Sequence, residues 1–117
     1  MGAQKAQQRL ARKPTDIGQI IKLGSLYLRA RRPYLARMVL GQGRGIKETA
    51  DLLVLLGVAT ARLGEHQAAL ALFHAALGKD PRSRFAAANK TWLLGRYGYR
   101  SPPAQGPRPR PDVRLLP

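Results

Sequence analysis

The stretch ADLLVLLGVATARLGEHQAALALFHAALGKDPRS, residues 50–83, decides the fold. Its second half sets Ala69, Leu72, Phe73, Ala76 and Leu77 at the i, i+3, i+4, i+7, i+8 spacing of a buried helical stripe. Its first half reads as the helix that pairs with this stripe. Leu63-Gly64 separates the two halves as a turn, Gly78 ends the second helix, and Pro81 starts the next connection. The stretch predicts helices over 50–63 and 66–78.

The pattern recurs on both sides. Leu23-Gly24 pairs with Leu56-Gly57, and Leu63-Gly64 with Tyr97-Gly98, at a period of roughly 34 residues. One uniform shift also carries Gly24, Tyr27, Ala36 and Leu40 onto Gly57, Thr60, Ala69 and Phe73. Self-similarity at such a period marks stacked helical units. Residues 17–30 read as a helix with a broad apolar face, started by Asp16 with Gln19 as a capping pair. Arg31-Arg32-Pro33 is the turn, and Tyr34 to Leu40 a short second helix. Three glycines in Gly41-Gln42-Gly43-Arg44-Gly45 predict a flexible or tightly turned loop. Residues 84–97 form a last helix.

The ends differ from the middle. Residues 3–13 read as a short basic helix anchored by Leu10 and stopped by Pro14, since proline lacks the amide a helix interior needs. From Ser101 the chain is Pro, Gly and Arg with little apolar mass, which predicts an extended arm. The expected organisation is a basic N-terminal helix (1–14), a helical domain (15–98) and a Pro/Arg-rich tail (99–117).

Gly57, Gly64, Ala69, Phe73, Ala76 and Pro81, with their echoes, resemble the signature of the tetratricopeptide repeat. The resemblance is fullest over residues 50–83. It implies an all-α helix-turn-helix solenoid with an extended basic C-terminal arm. In the flanking unit Arg31 stands where a turn glycine is usual. Two units and a capping helix fall short of the usual three, so a partner or a second copy is expected to complete the stack. The resemblance further implies protein binding in a concave groove lined by first helices. By analogy with Gly57, the groove residues are Ile21, Leu28, Arg29, Val54, Val58, Arg62, Trp92 and Arg96. The groove so built is apolar with a basic rim, which suits an amphipathic helix or an extended apolar segment better than a C-terminal carboxylate.

Length and charge bound the function. A chain of 117 residues is one domain, and without Cys it forms no disulfide or thiolate zinc site. No apolar run approaches a membrane span, and the first residues have no secretory pattern, so a soluble, cytoplasmic protein is expected. The net charge is +15. Residues 50–83 are neutral, 17–49 carry +6, and 1–16, 84–98 and 99–117 carry +3 each. Such a field attracts nucleic acid or acidic protein segments. Arg44, Lys47, Arg100, Arg108 and Arg110 are the candidate nucleic-acid contacts.

Arg29, Arg62 and Arg96 recur at one point of each unit and read either as a ladder for acidic groups or as solvated surface. Trp92 reads either as an interface anchor or as core. His66 and His74 stand just over two helical turns apart, too far to share a metal. The glycine run lacks the spacing of a phosphate loop. With no nucleophile, base and orienter set, the expected function is a non-enzymatic adaptor or chaperone without cofactor. The alternative is a ribonucleoprotein component that binds RNA through its basic ends.

Overall fold

The computed structural model of the chain describes residues 2–12 and 16–97. These form six helices and no strand: α1 (Gly2–Arg12), α2 (Ile17–Arg29), α3 (Pro33–Ile46), α4 (Ala50–Arg62), α5 (His66–Lys79) and α6 (Arg84–Tyr97). The fold is all-α, with consecutive helices packed as repeating hairpins. None of these helices is long and apolar enough to cross a membrane.

The repeat begins at the helix ends. Asp16 Oδ1 accepts the amide of Gln19, Thr49 Oγ1 that of Leu52, and Ser83 Oγ that of Ala86. These caps recur once per unit, and each satisfies an amide the helix itself leaves open, worth about 1 kcal/mol. The far ends repeat as well. The amide of Arg31 donates to Leu28 O and that of Arg32 to Tyr27 O; at the matching point of the next unit, Gly64 donates to Ala61 O and Glu65 to Thr60 O. This paired closure requires a left-handed residue just past the helix, and Arg31 (φ 59°) and Gly64 (φ 88°) supply it.

Close helix contact recurs with the same period. A Cβ added to Gly24 would stand 2.5 Å from a methyl of Leu40, and one on Gly57 would stand 2.5 Å from the ring of Phe73. Ala36 and Ala69, at equivalent positions of the two units, are wholly buried. Helices α2 and α4 therefore pack against α3 and α5 through the same small-to-large fit.

Helix α4 is the centre. It packs on α2, α3, α5 and α6, and every residue from Leu52 to Ala61 is buried. Within it, Thr60 Oγ1 donates to Leu56 O at 2.7 Å, so the buried hydroxyl keeps a partner. Helices α2, α4 and α6 touch in sequence to form one layer, whereas α3 and α5 barely meet in the other. Helix α1 packs on α2 as α3 packs on α4 and carries Ala6 into the common core. Ala6 is its buried anchor; the Leu10 side chain expected in that role lies outside the described residues, as does Pro14.

The glycine run is not a loop. Helix α3 continues through Gly41, Gly43 and Gly45 to Ile46. The buried stripe of Ala36, Val39 and Leu40 extends to Gly43, where a Cβ would lie 2.7 Å from both Ile20 and Leu52. Glycine at 43 lets α3 approach α2 and α4 together, and this packing outweighs its poor helix propensity of about 1 kcal/mol. Gly41 and Gly45 face open space.

These glycines give opposite predictions. Gly41→Ala and Gly45→Ala should each raise stability by up to about 1 kcal/mol, while Gly43→Ala and Gly57→Ala should lower it by about 1–3 kcal/mol through overpacking. Urea denaturation of the four variants checks the assignment. Arg31→Gly should add about 1 kcal/mol, because it removes the cost of holding a side chain in the left-handed region; thermal melting reads the gain.

Candidate interaction surface

The first helices present no open apolar groove at their centre. Leu28, Val54 and Val58 are 0 % exposed, so these expected partner contacts are core residues. The reason is the enclosure of α4 by four helices, which uses every face of it. Ile21 and Trp92 are half-buried against the same core.

Of the arginines expected on the rim, Arg62 is also drawn into the structure, while Arg29 and Arg96 are exposed. Arg62 donates from Nη1 to Leu28 O at 2.6 Å. This joins the end of α4 to the C-terminal turn of α2, where carbonyls lack helical partners and a cation complements the helix dipole. Arg96 lies over the Trp92 ring at 6.0 Å. Arg29 is exposed at the end of α2. Arg100, Arg108 and Arg110 lie outside the described residues.

The exposed apolar surface lies on the other layer. Tyr34, Leu35, Met38 and Ile46 are the exposed large apolar side chains among the described residues, and all four belong to α3. Tyr34 and Met38 are one turn apart, and Gly41 and Gly45 continue their row. Single exposed apolar residues are ordinary, but several together on one face mark contact surfaces. Arg37 lies over the Tyr34 ring at 5.4 Å and pairs with Glu65 at the head of α5.

Beside this row runs a cleft of about 480 Å³. Arg37, Gly41 and Arg44 form its α3 wall, Leu56 and Thr60 of α4 its floor, and Ala68, Ala71 and Leu72 its α5 wall, with Glu65 at one end. It exists because α3 and α5 are held apart by α4 and carry small residues where they face each other. Arg44 Nε donates to Glu48 at 2.7 Å. That hydrogen bond, with the charges of Arg44 and Lys79, holds the Glu48 carboxyl below its ordinary range. Lys47 is exposed at the end of α3. Of the residues expected to contact nucleic acid, the described part of the chain thus places Arg44 in the cleft wall and Lys47 exposed just past the end of α3. Among the described residues no three His, Asp or Glu side chains gather to hold a metal ion.

Sequence reasoning missed the α3 row, although the repeat held the signal. Aligning the two hairpins with Gly24 on Gly57 sets Tyr34, Leu35, Met38 and Ile46 against Gln67, Ala68, Ala71 and Lys79 of α5. All eight are exposed. The scaffold therefore accepts small or polar residues at these positions, and the large apolar ones on α3 are not needed to hold it together.

Substitution by Glu should separate core from surface. Val58→Glu should cost more than about 4 kcal/mol, since it buries an unpaired charge, whereas Met38→Glu should change stability by less than about 0.5 kcal/mol. Equal losses in urea denaturation would refute the placement of the apolar surface on α3.

No protein-family model, no curated protein and no solved structure matches the chain.

Proposed function

We propose that this chain is a non-enzymatic protein-interaction module, an adaptor or chaperone of the tetratricopeptide type, and that its contact surface is the outer face of α3. The observation that carries this reading is the row of exposed apolar side chains on α3, set beside arginines, at positions where the sister helix α5 is small or polar. Support for the repeat type comes from the once-per-unit recurrence of caps, helix closures and glycine contacts. Apolar surface kept in water has a cost that burial against another protein removes, at about 25 cal/mol per Å².

A second reading is favoured by the charge of +15, which is largest where α2 and α3 lie. In it the repeat is a scaffold for RNA, bound by Arg44, Lys47 and the basic ends. Phosphate binding weakens steeply with salt, whereas apolar contact does not.

The experiment is affinity capture from native lysate with the full chain, before and after RNase, alongside a Tyr34→Ser/Met38→Glu double variant. The expected outcome is a defined set of polypeptides that survives RNase and about 0.5 M salt and is lost from the variant. Loss of every partner on RNase treatment, with the variant behaving as wild type, would establish the RNA reading instead.

A further inference from the structure

The α3–α5 cleft combines three features that together describe an occupant. Its walls are low, because Gly41, Ala68 and Ala71 project little into it. Small residues let a helix backbone come close, and helices pack with their axes about 8–10 Å apart. Its floor and far wall offer apolar contact through Leu56 and Leu72, and Met38 stands exposed one residue along α3 from Arg37. One wall is basic: Arg37 and Arg44, two turns apart, fall on the same side of α3 about 10 Å from each other along the axis.

The two arginines already show what they bind. Each holds a carboxylate, Arg37 that of Glu65 and Arg44 that of Glu48. Both pairs are solvent-exposed, and such pairs hold weakly. A guanidinium presents five donors, so each can engage an incoming carboxylate without losing its present one.

Charge decides among occupants. A second copy would bring another +15, and the chain's own ends bring +3 each; the +6 of residues 17–49, counted with Glu48, opposes both. Single-stranded RNA is gripped by a basic groove together with stacking on aromatic faces, and no aromatic side chain is among the residues that line this cleft. The remaining fit is an acidic polypeptide with an apolar side.

We propose that the α3–α5 cleft receives an acidic amphipathic helix of a partner protein, apolar face on Leu56, Leu72 and Met38, carboxylates on Arg37 and Arg44. This rests on the protein-interaction reading and names its partner class. It also locates binding on the outer layer of the stack, away from the first helices.

The test selects from a displayed library of randomised helical peptides against the full chain, then measures the enriched peptides by fluorescence anisotropy. Enriched sequences should be amphipathic and net acidic. Met38→Glu and Arg44→Glu should each weaken them about tenfold or more, equal to about 1.4 kcal/mol, while Arg84→Glu, an equal charge change on α6, should leave affinity within about twofold. An Arg37→Glu/Arg44→Glu variant should select basic peptides in place of acidic ones. Thermal melting confirms that each variant is folded.

Enrichment without acidic bias, or equal weakening by Arg84→Glu and Arg44→Glu, overturns the proposal. So does a uridine-rich oligonucleotide that binds more tightly than any peptide and is displaced from the cleft by Arg44→Glu. If no acidic helix binds while lysate capture still depends on Tyr34 and Met38, the partner class falls and the protein-interaction reading stands.

Discussion

The structure depends on two close contacts, Gly24 against Leu40 and Gly57 against Phe73. Each lets the two helices of a hairpin approach until a large side chain of one rests on the bare backbone of the other. No side chain fits at either glycine without displacing its neighbour. The spacing they set brings Ala36 and Ala69 into the core and fixes how the next helix stacks. Repetition of one contact geometry along the chain produces a layered stack.

Enclosure of α4 follows from that geometry and has a functional consequence. A helix covered on all sides has no face left for a partner, so the apolar mass of residues 52–61 serves stability alone. The inner layer closes because α2, α4 and α6 touch; the outer layer opens because α3 and α5 barely do. Surface available for recognition is thereby moved to the second helices. Arg62, bonded to the carbonyl of Leu28, follows the same pattern: a cation that looks like a rim charge in sequence is a strut between successive units.

Charge and apolarity are segregated by unit. The second unit is neutral and supplies the core helix, while the first is basic and carries the exposed row on α3. The two hairpins differ at equivalent exposed positions, Tyr34 against Gln67 and Met38 against Ala71. The backbone is held by the shared positions, which leaves the exposed ones free to differ.

The sequence by itself determined the helices, their order and their period. Caps, stripes and turn residues are local signals, and α2, α4 and α5 begin and end within a residue of where spacing and capping place them. Even the odd residue of the set, Arg31, was visible as a side chain where the closure wants glycine. Only the tertiary structure decided that α3 runs through its glycines, since Gly43 is held by Ile20 and Leu52 from two other helices and no local pattern records that contact. Only it decided that Val54 and Val58 are core while Tyr34 and Met38 are surface. Helical spacing tells which residues share a face; what covers that face is a property of the packed neighbours.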